Sequence, residues 1–343
     1  MKLLICTQAV DANHPILGFF IGWIKEFSKH FDEVHVICLQ KGTYELPSHV
    51  HVYSLGKEEG ENKLKYLIRF YKYFSHIFFK IRVDFVFYHM GAVYNILGAP
   101  FFFIRKFSKT KFYWWKTHGY INVMGRMALL FVDRVYTASK ESFPVASQKR
   151  FVVGHAVPIP EQFVPKDLHM PLRLLFAGRV TPVKKVELAV EALKELRARG
   201  IEATLRIVGS LPDQKYKDRI SSLIASYGLA SYAEIVGPLN SSALFEEYAN
   251  TDVMLNPSQT YSIDKVVLEA MAHGLPVIAY AHAYGELLSP FGLAADAQDA
   301  RVYAEVIAQL QERPDIHKLQ EALKEEASAH HSLSTITQRI FSI

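Results

Sequence analysis

Short apolar runs alternate with segments of helical length along this chain, and the alternation occurs twice. KLLICT, EVHVICL, HVYSL and DFVFYHM are rich in β-branched or aromatic residues, and LGFFIGWIKEFSKHF separates the first two as a helix. FYWWKTHG, RVYTAS and RFVVGHAV continue the series as strands. Such alternation is the pattern of α/β units around a parallel sheet. VPIPEQFVPKDLHMP, dense in proline and without helical periodicity, then interrupts it and reads as an interdomain linker. A second series follows: LRLLFAG, the helix VELAVEALKELRARG, TLRIVGS, a helix from Gln214 to Tyr227, AEIVGPL, a helix around LFEEYAN, VMLNPS, then VVLEAMAHG and LPVIAY. The expected fold is α/β, two Rossmann-like domains in tandem, with ligands bound in a cleft at the strand carboxyl ends. No Gly-x-Gly-x-x-Gly fingerprint follows the first strand. From Asp299 onward a pair of amphipathic helices is expected.

At 343 residues the chain exceeds what one hydrophobic core usually supports, in keeping with two domains. The net charge of +5 is unevenly placed, because Asp84 is the one acid between Asn62 and Val132 while Lys and Arg recur. That bias favours an anionic surface as partner. Cys6 and Cys38 lie in apolar strand runs and read as buried reduced thiols of a cytosolic protein. No stretch reads as a signal peptide or membrane span, so any membrane is met from the side.

Two places carry chemistry. In LLFAGRVTPVKKVELAVEAL a strand runs into Gly178, Arg179 follows, and Lys184 stands just before a helix. Cations and a helix amino terminus at a strand end suit a phosphate, with a solvated loop as the competing reading. In NPSQTYSIDKVVLEAMAHGLPVIAY the helix opens with Asp264 and Lys265 and carries Glu269 one turn on. Lys265 and the helix N–H groups can face the same cleft, and Glu269 suits paired ribose hydroxyls. The alternative for Glu269 is a residue placed by the helix dipole. Together these charges read as a nucleotide-diphosphate grip.

FAGRVTPVK, LRIVGS, IVGPLNSSALFEEYANTDVMLNPS and VVLEAMAHGLPVIAYAHAYGELL resemble the family 4 glycosyltransferases, retaining enzymes of the GT-B fold, over most of residues 174 to 290. TQAVDANHPILGF, THG and RVYTASKESF resemble them more loosely. The resemblance implies two Rossmann-like domains facing each other across a cleft: an acceptor-binding domain at 1–160, a donor-binding domain at 161–325, and a helix at 326–343 packing back on the first. It implies Arg179, Lys184 and Lys265 on the donor diphosphate, Glu269 on the ribose, and the glycine loop at Gly18 near the donor. It also implies His118 beside the donor sugar, where a purely structural histidine is the competing reading. The family's earlier glutamate is replaced by Tyr261, and its Gly-Phe-Gly by Ser262, Ile263 and Asp264, so Asp264 is expected to supply the missing catalytic carboxylate. His155 reads as structural, and His14 as a weaker candidate for contact with donor or acceptor. The Ser-x-Asp-Lys-Val-Val-Leu-Glu run is similar to that of bacterial cell-surface enzymes.

The expected activity is transfer of a sugar from a nucleotide-diphosphate donor, a UDP-sugar ahead of a GDP-sugar, to a hydroxyl of a cell-envelope glycan or lipid-linked acceptor. No cofactor and no metal is expected, since no Asp-x-Asp occurs and protein cations can serve the phosphates. A sugar-nucleotide epimerase and a non-catalytic sugar-nucleotide-binding subunit are the rival readings. NKLKYLIRFYKYFSHIFFKIRVD and GAPFFFIRKFSKTKFYWWK interleave aromatics with cations. They suggest a cytoplasmic protein held peripherally on the anionic inner face of the cell membrane. A nucleic-acid partner is not expected.

Overall fold

The computed structural model describes all residues except Pro15, Lys106, Phe107, His118, Tyr261, Ser262, Ala281, His282, Ala283 and Ile343. The chain divides into two compact units, Met1–Gly154 with Ile336–Ile343, and His155–Thr335.

The first unit holds seven parallel strands among the described residues: β1 (Lys2–Val10), β2 (Glu33–Lys41), β3 (Val50–Ser54), β4 (Phe85–His89), β5 (Lys111–Trp115), β6 (Arg134–Thr137) and β7 (Arg150–Val152), in the order β3-β2-β1-β4-β5-β6-β7. The apolar runs become strands because helices cover both faces of the sheet, so inward and outward side chains alike lose water. Leu3, Leu4, Ile5 and Cys6 are all fully buried in consecutive positions of β1. Both cysteines are free and buried, and burial pushes the Cys38 thiol up to about 12.

Helix Phe20–Ser28 packs one face with Trp23 edge-on to Trp115 at 4.8 Å. Helix Lys63–His76 starts where the Asn62 carboxamide oxygen accepts the Lys65 N–H at 3.0 Å. Its aromatic stripe is partly core, with Phe70 and Phe74 buried, and in the helical turn Ile77–Ile81 that follows, Phe78 is buried and Phe79 exposed. Its charges are also partly spent. Lys65 pairs with Glu61 at 2.6 Å, and Arg69 pairs with Glu59 at 2.8 Å and Glu61 at 3.3 Å.

In the second unit β8 (Leu172–Ala177), β9 (Ala203–Val208), β10 (Ala233–Gly237), β11 (Val253–Asn256) and β12 (Val277–Ala279) form a parallel sheet in the order β10-β9-β8-β11-β12. The ends of β8 and β9 approach so closely that a Cβ on Gly209, at φ +147°, would lie 1.7 Å from the Gly178 carbonyl oxygen. Only glycine fits there.

The boundaries differ from the expected 160 and 325/326. Val157 donates its N–H to the His331 carbonyl at 2.8 Å and bridges to Ser332, which ties the start of the proline-rich segment to the second unit. Among the described residues three helices, not two, follow Asp299: Ala300–Gln311, Ile316–His331 and Leu333–Phe341. The first packs on helix Val186–Ala198 and the second on helix Lys265–Ala272. The third is started by Ser332, whose hydroxyl accepts the Thr335 N–H at 3.1 Å. It delivers Phe341 into an aromatic cluster of the first unit with Phe27, Phe31 and Phe85, at 5.0 to 5.3 Å between ring centres.

Candidate functional site

The chain leaves β8 toward β9 on one side and returns through β11 on the other. Adjacent strands whose connections run in opposite directions leave a crevice at their carboxyl ends. The segments that carried chemistry in the sequence fill it. After β8 come Gly178 at φ +152°, Arg179, a tight turn at Pro182–Lys184, and Lys185 in the left-handed region before helix Val186–Ala198. β11 ends at Asn256, and Ser258, Asp264 and helix Lys265–Ala272 follow it. The Gln259 N–H donates to the Val183 carbonyl at 3.0 Å and ties the two loops together.

Lys184 and Asp264, both assigned to the site from sequence, meet each other. The nearly buried Lys184 ammonium lies 2.6 Å from both Asp264 oxygens and 3.3 Å from the Ser258 hydroxyl. The same carboxylate accepts from the Asn256 amide at 3.2 Å, and the Asp264 backbone N–H donates to the buried Tyr284 hydroxyl. Asp264 stands at the helix N-cap position, yet its carboxylate makes no capping bond, because it is turned toward Lys184. The Asp264 side chain therefore leaves the first N–H groups of this helix uncapped, and a helix amino end favours an anion.

Lys265 pairs with Glu269 at 2.9 Å, one turn apart on the same face. Glu269 is buried and also accepts from the Tyr248 hydroxyl at 3.4 Å. Burial, then the Glu269 charge, holds the Tyr248 phenol well above its ordinary pKa, so it stays a donor. Arg179 is exposed, and among the described residues it has no ion pair or hydrogen bond. Among the described residues the crevice thus combines a guanidinium without an ion pair, two lysines each held by a carboxylate, and a helix start that the Asp264 carboxylate does not cap. It can take up a dianionic group by exchanging carboxylate for phosphate oxygens.

His155 was read as structural, and it lies near Lys265 and His331. Its Nδ1 is closed off from water although the residue as a whole is part-exposed. Burial first, then the charges of Lys265 and His331, push it down to about 3, so the ring is neutral.

In the first unit, Gly18 lies in the loop after β1, where the connections to β2 and β4 diverge. A Cβ there would come within 2.6 Å of the Ala12 carbonyl oxygen, so the loop closes only on glycine. His14 braces the same loop, its Nδ1 accepting the N–H groups of Ile16 at 3.2 Å and Leu17 at 3.0 Å. His118, expected beside the donor sugar, and Tyr261 lie outside the described residues.

The sequence reasoning missed Tyr248, Asn256 and Ser258, and it missed His89 at the end of β4. His89 is buried, 3.0 Å from the Thr7 hydroxyl and stacked at 3.8 Å on Phe20. Its sequence signal is a lone polar residue closing the apolar run FVFYH.

Residues 171–313 match the family described as glycosyl transferases group 1. A putative colanic acid biosynthesis glycosyltransferase WcaL of Salmonella typhimurium is 33% identical over 119 residues, covering 33% of this chain and 29% of that protein. A D-inositol 3-phosphate glycosyltransferase of Arthrobacter is 33% identical over 147 residues, covering 41% of this chain and 34% of that protein. This chain thus spans about a third of the length of these curated relatives. The crystal structure of Anabaena HepE in complex with UDP superimposes with a TM-score of 0.73 at 16% identity, covering 100% of this chain and 99% of that one. The lipopolysaccharide outer core galactosyltransferase WaaB, in its apo form, gives 0.67 at 14% identity, covering 100% and 99%. The chain has the GT-B fold, and residues 171–313 in its second unit form a domain of the glycosyl transferases group 1 family.

Proposed function

We propose that the chain is a retaining glycosyltransferase that moves a sugar from a UDP-sugar to a hydroxyl of a cell-envelope glycan or lipid-linked acceptor. The observation that carries this reading is that Arg179, without an ion pair among the described residues, the start of helix Lys265–Ala272, which the Asp264 carboxylate does not cap, and the buried Glu269 all follow the carboxyl ends of β8 and β11. Arg179, Lys184 and the helix N–H groups take the diphosphate. Lys184 gives up one Asp264 oxygen for a phosphate oxygen, while Asp264 keeps the ammonium aimed. Glu269, released by Lys265, accepts from the ribose hydroxyls. These fixed donors stabilise the charge that develops as the sugar–phosphate bond breaks, the largest catalytic term open to such a site.

UDP is favoured because the HepE structures are described in complex with UDP and with UDP-glucose. A glycan acceptor is favoured because WcaL and WaaB are named for colanic acid and lipopolysaccharide synthesis. No helix among the described residues is long and apolar enough to cross a membrane. The exposed cations of the first unit favour association with an anionic membrane surface.

The test is release of UDP from a panel of UDP-sugars with and without lipid-linked glycan extracted from envelopes, with the product anomer assigned by NMR. Acceptor-dependent UDP release with the donor's anomeric configuration kept is expected. UDP release independent of acceptor, or an inverted product, contradicts the reading.

A further inference from the structure

A buried phenol touches the carboxylate assigned to the ribose. Tyr248, on helix Ser241–Asn250, is 1% exposed, and among the described residues its hydroxyl has one hydrogen-bond partner, Glu269 Oε2 at 3.4 Å. Glu269 Oε1 is held instead by the part-exposed Lys265, whose ammonium lies 2.9 Å away. The two oxygens of one carboxylate thus have unlike partners: a neutral donor fixed in the core and a cation that reaches solvent.

The phenol is held by its surroundings. Its ring packs against Phe245 at 6.3 Å and His273 at 5.3 Å between ring centres, and those two rings meet each other at 5.1 Å. His273 is tied back to the same glutamate, its Nδ1 donating to the Glu269 carbonyl at 2.7 Å. The Glu269 backbone therefore fixes the imidazole, the imidazole packs on the phenol ring, and the phenol hydroxyl meets the Glu269 side chain. This closed circuit joins two helices that are separated in the chain by β11.

The two contacts differ in what they do when a nucleotide arrives. An ionised carboxylate accepts at about four lone-pair positions, so Oε2 can keep the phenol while hydroxyl groups approach both oxygens. Lys265 leaves Oε1 to the ribose, and the phenol is then what keeps the carboxylate in one orientation. A glutamate already set in its bound orientation loses less side-chain entropy on binding than one free to turn. At 3.4 Å the phenol contact is long for an O–H···O bond, and contacts of this kind tighten once the ligand is in place.

We propose that Tyr248 is a positioning residue for the donor: its hydroxyl sets the plane of the Glu269 carboxylate so that both ribose hydroxyls are read together. This rests on the reading that Glu269 receives the ribose, and it gives the site its preference for a ribonucleotide over a nucleotide without those hydroxyls.

The experiment is calorimetric titration of UDP, and of a dideoxy analogue lacking both ribose hydroxyls, into wild type, Tyr248→Phe, Glu269→Gln and the double variant. Tyr248→Phe removes one oxygen and keeps the ring that packs on Phe245 and His273. Wild type should prefer UDP to the analogue by about ten-fold or more. In Tyr248→Phe the preference should fall to about three-fold or less through weaker UDP binding alone, while unchanged affinity for the analogue reports an intact site. In the Glu269→Gln background the same substitution should change UDP affinity by less than about two-fold, because its effect runs through the carboxylate. Equal weakening of both nucleotides by Tyr248→Phe, or a preference kept at the wild-type level, overturns the positioning role and leaves the ribose assignment standing. An equal loss of UDP affinity in both backgrounds overturns the route through Glu269. A wild type that binds UDP and the analogue alike, or binds neither, overturns the assignment of Glu269 to the ribose and this proposal with it.

Discussion

Lys184 and Asp264 are 80 positions apart and form the tightest charge contact of the candidate site. An ammonium taken out of water is tolerated because a carboxylate with good geometry and a second hydrogen bond, here to Ser258, compensate it. Removing one partner strands the other charge. Asp264→Ala should therefore destabilise the second unit by about 3 kcal/mol, while Lys184→Met/Asp264→Ala should recover most of that stability. The double variant should still bind UDP poorly, since the ammonium is gone. Thermal unfolding followed alongside nucleotide titration checks both halves. A double variant as unstable as Asp264→Ala would mean that the pair is not what holds these loops. This pairing could not be read from the sequence, because nothing local links a turn after one strand to a loop after another. The Lys265–Glu269 pair, four positions apart on one helix, was within reach.

At the scale of elements, the strands followed directly from the sequence. Their β-branched and aromatic runs are buried on both faces, so periodicity, propensity and burial agree. The end of the chain was less legible. A pair of helices was expected from Asp299, the last of them spanning 326–343, yet Ser332 breaks that span and caps a new helix by accepting the Thr335 N–H on its hydroxyl. The signal was present, a serine three residues before a hydrogen-bonding partner, and apolar periodicity across it masked the break.

The helix Ile316–His331 that precedes this break places His331 against His155, whose N–H approaches His331 Nδ1 at 3.3 Å. Because the folded His155 pKa is depressed to about 3 from 6.5, its contribution to stability is complete above about pH 6.5 and is lost as pH falls toward 3. Lowering the pH from 7 to 5 should cost about 1 to 2 kcal/mol through this group. Chemical denaturation of wild type and His155→Gln at both pH values checks it. The variant should lose correspondingly less on acidification, and identical pH dependence in the two proteins would count against a buried neutral ring.

At the scale of the whole molecule, the chain leaves its first unit after Gly154 and returns to it at Ile336. The last helix, from Ile336 on, is therefore a structural part of the first unit although its first turn belongs to the second. Phe341 is almost fully buried there, and Phe341→Ala should cost about 3 to 5 kcal/mol. Hydrogen exchange should rise in β1, β4 and β5 and stay unchanged in β8 through β12, and a rise in both sheets would mean that the units do not unfold separately. The account as a whole depends on the crevice at β8 and β11 being a nucleotide-diphosphate site. Calorimetric titration of UDP into wild type, Arg179→Ala and Glu269→Gln tests that most directly. The account predicts binding to wild type and affinity about ten-fold weaker in each variant, since each loses a charge-assisted contact. Equal affinity in all three proteins, or no binding of UDP to wild type, would contradict it.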